Sequence, residues 1–143
     1  FLALLPKTVD GRQLRHVLDV RHPSFMTPDY LALARKHHCA TGFTDSPDFP
    51  SFADLTSDFV YARLMRSDAR LKNGYAPRAL DAWAAAAQVW AQGGEPSDLP
   101  QVEAAKDKGA PKDVFVFFIS GAKEKAPAAA TGLLQRLGFT PPA

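Results

Sequence analysis

Residues 17–25 read VLDVRHPSF, an apolar, β-branched run that ends in an aspartate, an arginine and a histidine before Pro23 and Ser24. Asp45, in TDSP, and Arg63, in VYARLM, also stand late in apolar runs. A carboxylate beside a guanidinium stays ionised and can act as a base, and an imidazole exchanges protons near neutral pH. Guanidinium groups grip carboxylate or phosphate through paired N–H donors. Asp19, His22 and Asp45 are therefore candidate catalytic groups, and Arg21 and Arg63 candidate anion ligands. Ser24, Tyr61, Tyr75, Ser120 and Lys123 are candidate substrate contacts. Tyr75 follows Gly74 in a loop where it could stack on a ligand. Ser120, Gly121 and Lys123 precede a helix start, a place suited to phosphate.

Each of these residues has a plainer reading. Asp19, Arg21 and Arg63 could form an ion-pair layer that only fixes the strands. By strand parity His22 faces away from Asp19 and would cap a loop. Tyr61 would fill space and Tyr75 would anchor its loop. His37, His38 and Cys39 are adjacent at a helix end and cannot all converge on one ion, so a basic helix terminus accounts for them better. No metal and no cofactor are expected.

The elements that must position these groups alternate between strand and helix. FLALLP is a short apolar stretch stopped by Pro6, and it reads as the end of an element that begins before Phe1. VDGRQ is a turn. Strands are expected over residues 14–22, 39–46, 58–65 and 113–120. The helix in residues 26–39 opens with Thr27 as cap, Pro28 at its first position and Asp29 in its first turn. A second helix starts at Pro77 and is stopped by Gly93, with Leu80, Trp83, Ala87 and Trp90 forming a buried stripe. The third lies in residues 126–139, with Pro127 near its start and Gly138 past its end. Residues 93–113, rich in Pro, Gly and polar side chains, read as a flexible loop insertion.

This alternation predicts an α/β fold with parallel pairing and helices over at least one sheet face. Parity places Leu18 and Val20 opposite Asp19 and Arg21, and Val60, Ala62 and Leu64 opposite Tyr61 and Arg63. One face should then be apolar beneath helices. The other should carry Asp19, Arg21, Asp45, Tyr61, Arg63 and Ser120 near the strand ends, where parallel α/β folds build ligand sites.

The chain has 143 residues, 46% of them hydrophobic and 22% charged, the make-up of one globular unit with a sizeable core. A formal charge of +2 without long blocks of either sign gives no nucleic-acid or membrane footprint. The single Cys39 suits a reducing compartment, and no apolar run reaches the roughly 20 residues of a membrane span. Cytoplasmic placement is the expectation.

LRHVLDVRHPSF, TDSP, DFVYARLMRS followed by GYAPRALDAWA, and DVFVFFISGAKEKAPAAA resemble, in order, the YecE-like family of (β/α)8 barrels, a family of unknown function numbered 72. The resemblance implies that residues 1–143 are the C-terminal half of a TIM barrel, its last four β/α units, with a pocket at the strand C-termini. The family usually has glutamate in place of Asp19, His-Gly in place of Met65 and Arg66, and Asn-Asn-Asp in place of Ile119, Ser120 and Gly121. The expected ligand is small and polar or anionic, and acid/base hydrolysis is a candidate reaction. The alternative is a non-catalytic binding or structural module. An isolated half-barrel is expected to be inactive and to pair with a second copy or with the N-terminal half.

Overall fold

A computed structural model describes residues 1–105 and 107–140. Two short strands, β1 (Thr8–Val9) and β2 (Arg12–Gln13), form an antiparallel hairpin. Its turn is made by Asp10 and Gly11, whose φ values of 49° and 74° suit a two-residue hairpin connection. The turn expected in VDGRQ is present, with its flanking residues paired.

The remaining strands are parallel. β3 (Val17–Leu18) pairs with β4 (Ala40–Thr41), and β5 (Phe43–Asp45) pairs with β6 (Phe59–Leu64), which pairs in turn with β7 (Asp113–Phe118). Gly42 separates β4 from β5 in one extended run, and its N–H donates to the Leu18 carbonyl at 2.9 Å. That run thus serves β3 with its first half and β6 with its second. Of the strand expected over residues 14–22, only Val17 and Leu18 enter a ladder. The ladder is short because the neighbouring run passes to β6 after Gly42, and Pro23 opens a 3-10 turn, Pro23–Phe25.

Three helices follow the sequence signals. α1 (Pro28–Lys36) is capped by Thr27 Oγ1, which accepts the Tyr30 N–H at 3.2 Å. α2 (Pro77–Ala91) and α3 (Ala126–Arg136) both have proline in their first turn. All three pack on one sheet face. Leu18 and Val20 meet Tyr30 and Leu31 of α1, Phe43 and Ala62 meet Ala86 and Trp90 of α2, and Leu64 and Phe118 meet Leu80 and Ala129. Leu31, Leu80 and Trp90 are sealed from solvent, so the tryptophan stripe is core.

A chain of buried hydroxyls ties part of this layer together. Tyr30 Oη contacts Thr41 Oγ1 at 3.0 Å, Thr41 contacts Thr56 Oγ1 at 3.0 Å, and Thr56 donates to the Cys39 carbonyl at 2.7 Å. Cys39 is buried beside this chain of hydroxyls, and burial pushes its thiol pKa up.

The loop expected over residues 93–113 holds no helix or strand before Asp113 among the described residues. Its first half is tied down. Ala53 donates to the Pro100 carbonyl at 2.7 Å, Glu95 accepts the Leu55 N–H at 2.9 Å, and the Asp54 carboxylate accepts the N–H groups of Val102 and Glu103 at 2.7 and 3.0 Å. Lys106, within this loop, lies outside the described residues.

Candidate functional site at the strand C-termini

Register decides which groups share the face away from the helices. β6 sets Arg63 level with Thr44 of β5 and Phe117 of β7, and Tyr61 level with Phe115. Paired residues of adjacent strands point the same way, so Thr44, Tyr61, Arg63, Phe115 and Phe117 belong to one face. Asp19, one residue beyond β3 and opposite in parity to Leu18, belongs there too.

On that face Asp19 joins two arginines. Arg63 Nη1 donates to its Oδ2 at 2.7 Å, and Arg21 donates through Nη2 at 2.8 Å and Nε at 3.3 Å. The Arg21 hydrogen bond, helped by the charges of Arg21 and Arg63, holds the Asp19 carboxyl below its ordinary pKa range against the opposing effect of burial. Asp19 is therefore anionic at neutral pH and a poor proton donor. Two guanidinium groups against one carboxylate leave a positive excess. The cluster is open to solvent, with side-chain exposures of 37% for Arg21 and 26% for Asp19 and Arg63. Phe49 covers part of it, its ring 4.9 Å from the Arg21 guanidinium carbon.

Asp45 does not join this cluster. It is level with Leu64 on the helix-covered face, which corrects its assignment to the face of Asp19 and Arg63. Parity within the run is as expected, since Thr41, Phe43 and Asp45 do align, but Phe43 is core and takes Asp45 to its own side. Arg66 ties it, donating through Nε to Asp45 at 2.8 Å and through Nη2 to the Ser46 carbonyl at 2.8 Å.

The remaining candidates fall elsewhere. His22 caps the turn that follows it: Nδ1 accepts the Ser24 N–H at 3.2 Å and lies 2.8 Å from Ser24 Oγ. Tyr61 stacks on Phe117 with ring centres 4.9 Å apart. Tyr75 is buried, its hydroxyl accepting the Arg66 N–H at 3.0 Å and its ring meeting Phe118 edge-on. Burial raises its pKa. Phe118 thus fills the helix side, and Phe117 is the aromatic beside Tyr61. Ser120 leaves the strand with a left-handed φ of 62°, so parity no longer places it; its carbonyl accepts Ser67 Oγ at 3.1 Å. Lys123 opens a separate exposed turn, Lys123–Lys125, ahead of α3.

Sequence reasoning missed Thr44, Arg66 and Arg15. Arg15 pairs with Asp113 at 2.9 Å and lies about 5 Å from the ring centres of Phe59 and Phe115, at the opposite ends of the strands. Among the described residues no three His, Cys, Asp or Glu side chains gather as metal ligands.

Parallel strands with helices on one face and an arginine–carboxylate cluster at the strand C-termini define a protein built of β/α units. The chain belongs to the family described as "Protein of unknown function DUF72", which matches residues 1–143. Two crystal structures of a DUF72 family protein from Enterococcus faecalis V583 share its fold. One aligns with a TM-score of 0.60 at 13% identity over 90% of this chain, the other with 0.59 at 16% identity over 89%. The chain spans about half of those proteins, 49% and 50% of their lengths. No curated protein matches it. No helix of the described residues is long and apolar enough to cross a membrane.

Proposed function

We propose that the chain supplies the anion-binding part of a site for a small polar, negatively charged ligand, with Arg21 and Arg63 as its ligands and Asp19 as the group that orients them. The observation that carries this reading is the shared carboxylate. Asp19 fixes both guanidinium groups in one place, leaves a positive excess and stays partly open to solvent. Pre-oriented guanidinium donors recognise carboxylate or phosphate with geometric selectivity. The role is binding rather than proton transfer, because Asp19 is held ionised by its partners, His22 is occupied as a cap and Asp45 is held by Arg66 on the other face. Acid/base hydrolysis would need a proton donor from outside this cluster.

Calorimetric titration with inorganic phosphate and with a sugar phosphate tests the reading. Saturable binding that is lost in Arg21→Ala and Arg63→Ala and kept in Asp45→Asn supports it. Unchanged affinity in the arginine variants, with stability alone reduced, would make the layer structural.

The proposal extends to what completes the face. Phe117 is 40% exposed, and β3 and β7 each pair on one side only among the described residues. An unpaired strand edge is a template for pairing with a further strand. A further set of parallel strands, from the N-terminal half of a barrel or from a second copy, would cover these edges and enclose the arginine cluster.

A further inference from the structure

Resting on that reading, we infer that Thr44 is a specificity-determining ligand of the same site, its hydroxyl and the Nε–H of Arg63 together holding one oxygen of a tetrahedral oxyanion such as phosphate. The position of Thr44 follows from register. Asp19 and Arg63 sit on runs that flank the one containing Gly42 and Thr44, so they lie two strand spacings apart, roughly 10 Å. The ion pair between them therefore crosses the middle run. Thr44 is level with Arg63, and a Cβ at Gly42 would lie 3.8 Å from the Asp19 Cα. The Arg63 side chain thus reaches from the level of Thr44 to that of Gly42, beside which Asp19 stands.

Both polar atoms along this path lack partners. Among the described residues, Thr44 Oγ1 and Arg63 Nε are buried without a hydrogen bond, although Thr44 is only 4% exposed. Its backbone N–H is satisfied by Ser51 Oγ at 2.9 Å, which leaves the hydroxyl as the unsatisfied group. A buried donor without an acceptor is costly, and such groups in folded proteins are nearly always paired. Arg63 cannot supply an acceptor, because a guanidinium only donates. A single anionic oxygen accepting from both would satisfy them at once, and Arg21 and the Nη groups of Arg63 would meet its neighbouring oxygens. A tetrahedral oxyanion has oxygens enough to meet Thr44 as well as both guanidinium groups, whereas the two oxygens of a carboxylate are taken up by the arginines, so the threonine hydroxyl favours the former.

The experiment measures the dissociation constants of inorganic phosphate and of acetate for the full chain and for Thr44→Val and Thr44→Ser, with circular dichroism to verify the fold of each. The expected result is phosphate affinity weakened roughly tenfold or more in Thr44→Val, the size of one lost hydrogen bond to a charged group, with near recovery in Thr44→Ser and little change for acetate. Equal phosphate affinity in all three folded proteins, with Arg63→Ala still abolishing binding, would overturn the role of Thr44 and leave the arginine site standing. No phosphate binding by the unaltered chain would overturn both.

Discussion

Arg63 and Asp19, 44 residues apart in the chain, close a 2.7 Å ion pair across the run that lies between their strands. Arg21 reaches the same carboxylate from two residues away. One local and one distant guanidinium therefore share a single anion, and the shape of the site depends on the assembly of three strand runs.

The shared carboxylate makes stability depend on acid. Arg21 first, and then the charges of both arginines, depress the Asp19 pKa below its ordinary value of 3.8. A depressed folded-state pKa contributes stability that is fully present above the unfolded value and is lost as pH falls through the folded one. Asp68, held at about 2 by Arg70, acts in the same direction, so the comparison must be a difference. Urea unfolding of the unaltered chain and of Asp19→Asn between pH 6 and pH 2 should show the variant less stable at pH 6, by about 1 kcal/mol, with the gap closing below pH 4. A gap that stays constant to pH 2 would contradict the assignment.

Gly121 sets the close approach between the ends of β6 and β7. It has a φ of 56°, and a Cβ there would lie 2.6 Å from the Ser67 carbonyl oxygen and 2.8 Å from Ser67 Oγ. Gly138 has a φ of 82° with nothing nearby. Gly138→Ala should cost only the left-handed backbone penalty, about 1 kcal/mol, and Gly121→Ala at least about 2 kcal/mol because backbone must also move. Equal midpoints in urea would show that Ser67 and Gly121 separate freely.

Edge pairing predicts association. The solution mass of the chain, alone and mixed with separately expressed β/α units of the proposed N-terminal half, should report a dimer or a one-to-one complex. Phe117→Lys, which sets a charge on the uncovered face, should weaken it. A monomer that ignores the other half would show that these edges are stable unpaired.

Much of this architecture was legible in the sequence because its signals are local. Thr27-Pro28-Asp29 announced α1, the stripe through Leu80 and Trp90 announced α2, and alternation within β6 separated Arg63 from Ala62. The register between strands was not legible, since it depends on which apolar residues the helices cover. Asp45 shows the consequence: its spacing suggested company with Asp19, but Phe43 packs on Trp90 and carries it to the opposite side. Thr44 gave no signal at all, because a threonine in a strand is ordinary until its neighbours are known. Strand parity offered a loop cap as the plainer reading of His22, and its hydrogen bond to the Ser24 N–H agrees with that reading.

Arg21 and Arg63 are proposed to hold an anion while Arg66 does not. The most direct measurement follows the Nε–Hε resonances of the arginines by NMR during a phosphate titration at constant ionic strength, with assignments from the Arg21→Ala, Arg63→Ala and Arg66→Ala variants. Saturable shifts of the Arg21 and Arg63 signals are expected, Arg63 the larger, with Arg66 still on Asp45 and unmoved. Shifts that are absent, or equal and unsaturated across all three arginines, would contradict this proposal.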